Sequence, residues 1–469
     1  MKMWSGRFRQ PLDPQFERWQ RSFDFDRRLL SYELAASGAH ARALKNAGIL
    51  SADELISILE GLQQIGEMAA AAEGFVEDDE AEDVHHFVER QLAGRIGEVG
   101  YKLHSGRSRN EQIAADLRLY VRAAIDELRK ELAETCAAFT DRAEQAGTVA
   151  MPAYTHLQHA EPVLVAHWLL AYIEMFLRDA DRLADCRKRV NLCPLGSGAV
   201  AGATLPLDRT LMAEELDFAA PTANSIDATS DRDFILEFVN VLSLLGLHLS
   251  RWAEEMIAFC SQEFGFVQLP ESYSTGSSAM PQKKNPDLLE LVRGKTGRVI
   301  GNATALMVTL KGLPLAYNKD LQETQQPLFD AADTVLGLLP LVAGFMKAID
   351  FDHARMDEAA QSGFMNAWSA ATYLVNRGVP SRLAHEVIGK AVKLCLEKNC
   401  QLQDLTLDDL HGLHPAFDDS FYDCLKPAAV LAIHDVVGGT APVRVRQGIA
   451  AAKKKIESLR EEINFHAHA

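Results

Sequence analysis

The sequence predicts an all-α protein, and three observations carry that expectation. Apolar residues recur in steps of three and four over long windows, no run alternates apolar and polar residues over a useful strand length, and the composition is that of a soluble globular chain. The first long window runs Ile113, Leu117, Val121, Ile125, Leu128, Leu132 and Phe139. A second runs Phe234, Phe238, Val241, Leu245, Leu249, Trp252, Met256 and Phe259, and similar spacing covers 163–187, 286–311 and 321–349. Such windows predict helices of about 30 residues, each about 45 Å long. A helix with one apolar stripe must bury it on another helix, so a bundle is the expected core. Gly294, Gly297 and Gly301 share one of these helices. Each costs about 1 kcal/mol against alanine, and close approach of a neighbouring helix would offset that cost. An oligomer built on the long helices follows as an expectation.

Either side of the long helices the pattern changes. Before 108 the helical windows are shorter and the acidic run EDDEAED (77–83) appears; after 360 the helices shorten again and loops such as HGLHPAFDDS (411–420) appear. The expected units are therefore a helical domain at 1–108, a long-helix domain at 109–360 and a second helical domain at 361–469. The acidic run reads as a solvated loop or a helix start. A metal site using His85 and His86 is the weaker reading, because adjacent residues point in different directions on a helix.

Composition narrows the function classes. The 469 residues are 48% hydrophobic and 24% charged, with a net charge of −17. That balance argues against a nucleic-acid partner, which needs a positive face. Seven cysteines form no CxxC pair, which suits free thiols in a reducing compartment. The start, MKMWSGRFRQPLDP, has no apolar run of a secretory signal, and the apolar segment Val335 to Ile349 is too short to span a bilayer. A cytoplasmic protein with no membrane partner is expected.

Four polar interruptions stand out. In YSTGSSAMPQKKNPD (273–287), Asn285-Pro286-Asp287 reads as a helix start with Asn as N-cap and Pro at the first position. Unpaired N–H groups there, with Lys283 and Asn285, suit a carboxylate. The small residues ahead of them suit a loop that closes over a ligand, though a solvated surface loop has the same composition. LHSGRSRNEQ (103–112) puts Ser108, Arg109 and Asn110 at another helix start, where ordinary capping is the competing explanation. YTHLQHAEPV (154–163) carries Thr155 and His156 between two prolines, and LAYNKDLQET (315–324) breaks two helices with Tyr317 and Gln322 as donors. His156 and His159 lack a carboxylate or cysteine partner at metal-ligand spacing.

These residues resemble one family. GSSAMPQKKN (276–285) is similar to the signature loop of the aspartase/fumarase superfamily, while GRSRN (106–110), YTHLQ (154–158), YNKDLQE (317–323) and the opening WSGRF (4–8) resemble the argininosuccinate lyases within it. The resemblance covers nearly the whole chain. It implies the three-domain aspartase/fumarase-like fold, a homotetramer whose core is the long-helix bundle, and active sites that each draw on three subunits. It also implies reversible elimination of L-argininosuccinate to fumarate and L-arginine, the last step of arginine biosynthesis, with no metal or organic cofactor.

By the same resemblance the acid–base pair is Ser277 and His156, Ser277 being favoured as base and His156 on the acid side; the reverse assignment stays open. Lys283, Asn285, Ser108, Asn110 and Thr155 would hold the succinyl carboxylates, with Arg109 in the same binding set. Ser22, Tyr317 and Gln322 would meet the arginine half, with Asp26 nearby. The chain departs from the family pattern at Gln325, where a lysine is usual, at Glu111 in place of aspartate, and at His86 in place of threonine. Another fumarate-releasing lyase, or a crystallin-like relative without activity, are the alternative readings. The arginine-end residues Tyr317 and Gln322 separate the first, and retention of Ser277 and His156 separates the second.

Overall fold

The computed structural model of the protein describes residues 10–72, 74–78 and 80–468. The motif at 4–8 lies outside the described residues. The described residues are mostly helical, as expected. Helices α1 (Leu30–Asn46), α2 (Ala52–Ala71) and α3 (Val84–Ile96) precede the long helices α4 (Arg109–Ala146), α5 (Val165–Val190), α6 (Asp233–Phe259), α7 (Asp287–Leu310) and α8 (Gln325–Ala348). Then come α9 (Ala367–Asn376), α10 (Ser381–Lys398) and α11 (Pro442–His468).

The long helices pack as a bundle, α4 on α5 and α8, and α6 on α5 and α7. The stripes read from the sequence meet at its centre. Trp252 of α6 lies 5.8 Å from Phe139 of α4 and 5.6 Å from Phe345 of α8, ring to ring, and all three are buried. Helices α1–α3 join the same apolar core, whereas residues between Ala370 and Leu425 form a smaller core of their own. Helix α11 then returns to the bundle, where Arg129 pairs with Glu462 at 2.6 Å and Lys455 with Glu174 at 2.9 Å. The segments Asp233–Phe259 and Lys319–Ala348 are long and apolar enough to cross a membrane; 50% and 61% of their apolar windows are buried, and bundle packing accounts for the apolarity.

Two local differences from the sequence reading matter for the site. Strands β1 (Ala150–Thr155) and β2 (Gln158–Leu164) form an antiparallel hairpin, where no strand was expected. Pro152 faces Pro162 across it and a bulge follows, so the alternation is broken in both strands. The other difference concerns α7. Asn285 does not cap it: the helix begins at Asp287 behind Pro286, with no side-chain cap. Instead Lys284–Asn285 (β4) pairs with Thr275–Gly276 (β3), and the Asn285 amide donates to the Gly276 carbonyl at 3.3 Å. Closing the hairpin uses the side chain that capping would need.

Candidate active site

The predicted arginine-end residues and the start of α4 meet in one cleft of about 1220 Å³, lined by Ser22, Asp26, Asp83, Arg109, Asn110, Tyr317, Gln322 and Gln325 among others. Its floor is built by helix starts. Ser108 is the N-cap of α4, its Oγ accepting from the Asn110 N–H at 3.2 Å. Buried Glu111 completes a capping box by accepting from the Ser108 N–H at 3.0 Å. Its other oxygen accepts from the Gly198 N–H at 3.0 Å, and the Asn110 amide donates to the Ala199 carbonyl at 3.3 Å. Glu111 thus ties the start of α4 to the glycine-rich loop 196–203.

Arg109 is held on the cleft wall by Asp83, with Nε 3.2 Å from the carboxylate. Asp83 caps α3, accepting from the His86 N–H at 2.7 Å. Burial opposes its charge, yet Arg109 and His85 hold it well below the usual carboxylate range. The acidic run therefore supplies a helix start, as one reading had it, but Asp83 is not a solvated charge. Ser22 donates to Asp26 at 2.6 Å, and Asp26 is pushed up to about 7 by burial and by Asp83. Gln322 donates to the Gln20 carbonyl at 3.1 Å, and burial pushes the Tyr317 phenol up. Gln325 is buried, and its Oε1 has no hydrogen-bond partner among the described residues. His104, also on the cleft, is pushed down to about 4 by burial and by Arg107 and Arg109. The sequence reading missed Asp83 and His104; the aspartate just before the apolar start of α3 was the available signal.

His85 and His86 do diverge. The His86 ring accepts from the Glu82 N–H, while His85 points inward to Asp116 at 3.0 Å and Glu33 at 3.7 Å. Glu33, His85 and Asp116 each offer a ligand atom within 4.8 Å of one another. Two cations already answer these carboxylates. Burial opposes the imidazolium, but Glu33, Asp116 and Asp83 push His85 up to about 10, and Arg107 lies 3.7 Å from Glu33. A protonated ring offers no lone pair to a metal.

The remaining predicted residues lie elsewhere. Thr155 and His156 are exposed at the tip of the β1–β2 hairpin, with His156 and Leu157 both left-handed (φ 56° and 58°). Positive φ at both loop positions is the geometry of a two-residue hairpin turn. For non-glycine residues it costs about 1–2 kcal/mol each, and such strain clusters at functional sites. Ser277, Lys283 and Asn285 belong to the β3–β4 hairpin. Ser277 Oγ accepts from the Ala279 and Met280 N–H groups at 3.3 and 3.1 Å, while Lys283 is exposed.

Helix lengths show how far apart these groups are. Ser108 to Asn110 open the 38-residue α4, and the His156 hairpin follows its far end, about 57 Å along the axis. Tyr273, beside the serine loop, packs on Phe345 near the end of α8, whereas Tyr317 and Gln322 precede its start. One chain therefore brings Ser22, Arg109, Asn110, Tyr317 and Gln322 together, with Ser108 capping behind them. It leaves Thr155, His156, Ser277, Lys283 and Asn285 at the opposite end of the bundle.

Comparison with known proteins bears on the family of the chain. Residues 6–301 match the lyase family, and residues 364–432 match the argininosuccinate lyase C-terminal family. The argininosuccinate lyase of Koribacter versatilis is 62% identical over 98% of this chain and 99% of its own length. That of Acidobacterium capsulatum is 56% identical over 98% of this chain and 96% of its own. Among solved structures, an EDDS lyase in complex with formate superposes with a TM-score of 0.85 at 26% identity, covering 98% of this chain and 93% of the other. With matches that span both the bundle and the smaller C-terminal core, the chain belongs to the argininosuccinate lyase family.

Proposed function

We propose that the argininosuccinate lyase reaction of this chain, reversible elimination of L-argininosuccinate to fumarate and L-arginine, runs at sites assembled from several copies of it in a homotetramer. The separation of the motifs to opposite ends of the bundle is the observation that carries this reading. The exposed face of α7 supports it further. Among the described residues no other part of the chain lies within 4 Å of a Cβ built on Gly294, Gly297 or Gly301, and Leu291, Ile300, Met307 and Val308 are exposed on the same helix. Glycines that meet no described helix of their own chain suit close approach by a second copy. The division into domains at 108 and 360, with α11 docked on the central one, is part of the same proposal.

In the assembled site Ser277 is the base, removing the proton beside a carboxylate, and His156 acts on the acid side as the guanidino nitrogen departs. A serine alkoxide is too costly in water. The two N–H groups already aimed at Ser277 Oγ and the nearby Lys283 favour it once the loop closes and excludes water. Lys283, Asn285, Ser108, Arg109, Asn110 and Thr155 hold the succinyl carboxylates, whose charge grows in the carbanion. Ser22, Tyr317 and Gln322 take the arginine end. The chemistry needs no cofactor, and free cysteines suit a cytoplasmic enzyme.

The test is fumarate release from argininosuccinate, followed by absorbance, in the wild type and in Ser277→Ala. The variant is expected to keep its assembly and thermal stability. Its kcat should fall by orders of magnitude with a smaller change in KM. Near-normal kcat would remove Ser277 from the mechanism.

A further inference from the structure

The end of α10 places two cysteines against each other. The helix stops at Lys398 because Asn399 turns left-handed (φ 52°), and the Cys400 N–H then donates to the Cys395 carbonyl at 3.0 Å. This six-to-one bond is the Schellman termination, in which the residue beyond the left-handed one folds back over the last turn. The two positions it brings together normally carry an apolar contact. Here both are cysteine, so the fold-back brings the two thiols to the same end of the helix. Cys395 is fully buried in the smaller core, while Cys400 is half-buried at its edge.

We propose that Cys395 and Cys400 are a redox-modification site, closed to an intramolecular disulfide by exchange with a low-molecular-weight disulfide. Cys400, the accessible sulfur, attacks as thiolate, forming a mixed disulfide and releasing one small thiolate. Cys395 then gives up its proton, and its sulfur displaces the second small thiolate from Cys400. Two protein thiols are oxidised to one disulfide while one small disulfide is reduced to two thiols. Burial and the neighbouring thiol push Cys395 up to about 12, which makes it the second sulfur to react. The bond pins residue 400 to the last turn of α10 beside Leu402 and Leu405 of that core.

The test treats the full-length assembled enzyme with glutathione disulfide, alkylates remaining thiols under denaturing conditions and maps the peptides. The thiol titre is expected to fall by two from seven, with Cys395 and Cys400 linked within one chain and recovered by dithiothreitol. Cys400→Ser should keep normal lyase activity and leave Cys395 reduced under the same treatment. An unchanged titre in the wild type, loss mapping to other cysteines, a bond between chains, or oxidation of Cys395 in the variant would each overturn the proposal.

Discussion

Gln325 occupies the wall of the cleft with a buried amide oxygen that no group among the described residues answers. An amide there lacks the charge that a lysine brings to a carboxylate. A charge-assisted hydrogen bond is about twice as strong as a neutral one, a difference on the order of 1 kcal/mol and roughly fivefold in affinity. Gln325→Lys is therefore expected to lower KM for argininosuccinate and Kd for arginine with little effect on kcat, because the arginine end is remote from the carbon that loses its proton. Steady-state kinetics in both directions check this; an unchanged KM would mean that residue 325 does not touch the substrate. His104 makes a second prediction. Its folded pKa of about 4 lies below the unfolded value of 6.5, so the unfolded chain binds a proton that the folded one refuses. Stability is lost as pH falls from 6.5 towards 4 and is unaffected by this group above 6.5. His104→Gln should show a smaller drop in apparent Tm between pH 7 and pH 5 than the wild type.

At the scale of elements, the start of α4 shows how one residue aligns two loops. The glutamate at 111 reaches both the Ser108 and the Gly198 N–H groups. Glu111→Gln keeps one acceptor and sets an amide donor against the other N–H. Leaving a buried donor unanswered costs about 1–3 kcal/mol. The variant is expected to lose about that much in urea unfolding, and its KM should rise as Arg109 and Asn110 loosen. Equal stability would mean that Glu111 is not what joins the loops. Capping of this helix by Ser108 was legible because serine and glutamate stand three apart before an apolar stripe. The β1–β2 hairpin was not, because its paired prolines hide the alternation and its turn uses histidine and leucine where glycine or asparagine is usual.

For the whole molecule, the decisive measurement is complementation. His156→Asn and Ser277→Ala subunits are each expected to be inactive alone. Dissociated, mixed and reassembled, they should recover part of the wild-type activity, since some sites then draw an intact histidine and an intact serine from different subunits. Hybrid tetramers without activity would rule out shared sites.

The sequence by itself determined the helical class, the long stripes that meet at Trp252, the family and the identity of the chemical motifs. Those are properties of local spacing and residue type, which survive without knowledge of the fold. Only the tertiary structure decided that Asp83 answers Arg109, that His85 turns inward to Glu33 and Asp116, and that Asn285 closes a hairpin instead of capping α7. Each of these depends on which distant segments meet, and helices longer than a small domain's radius carry neighbours in sequence far apart in space.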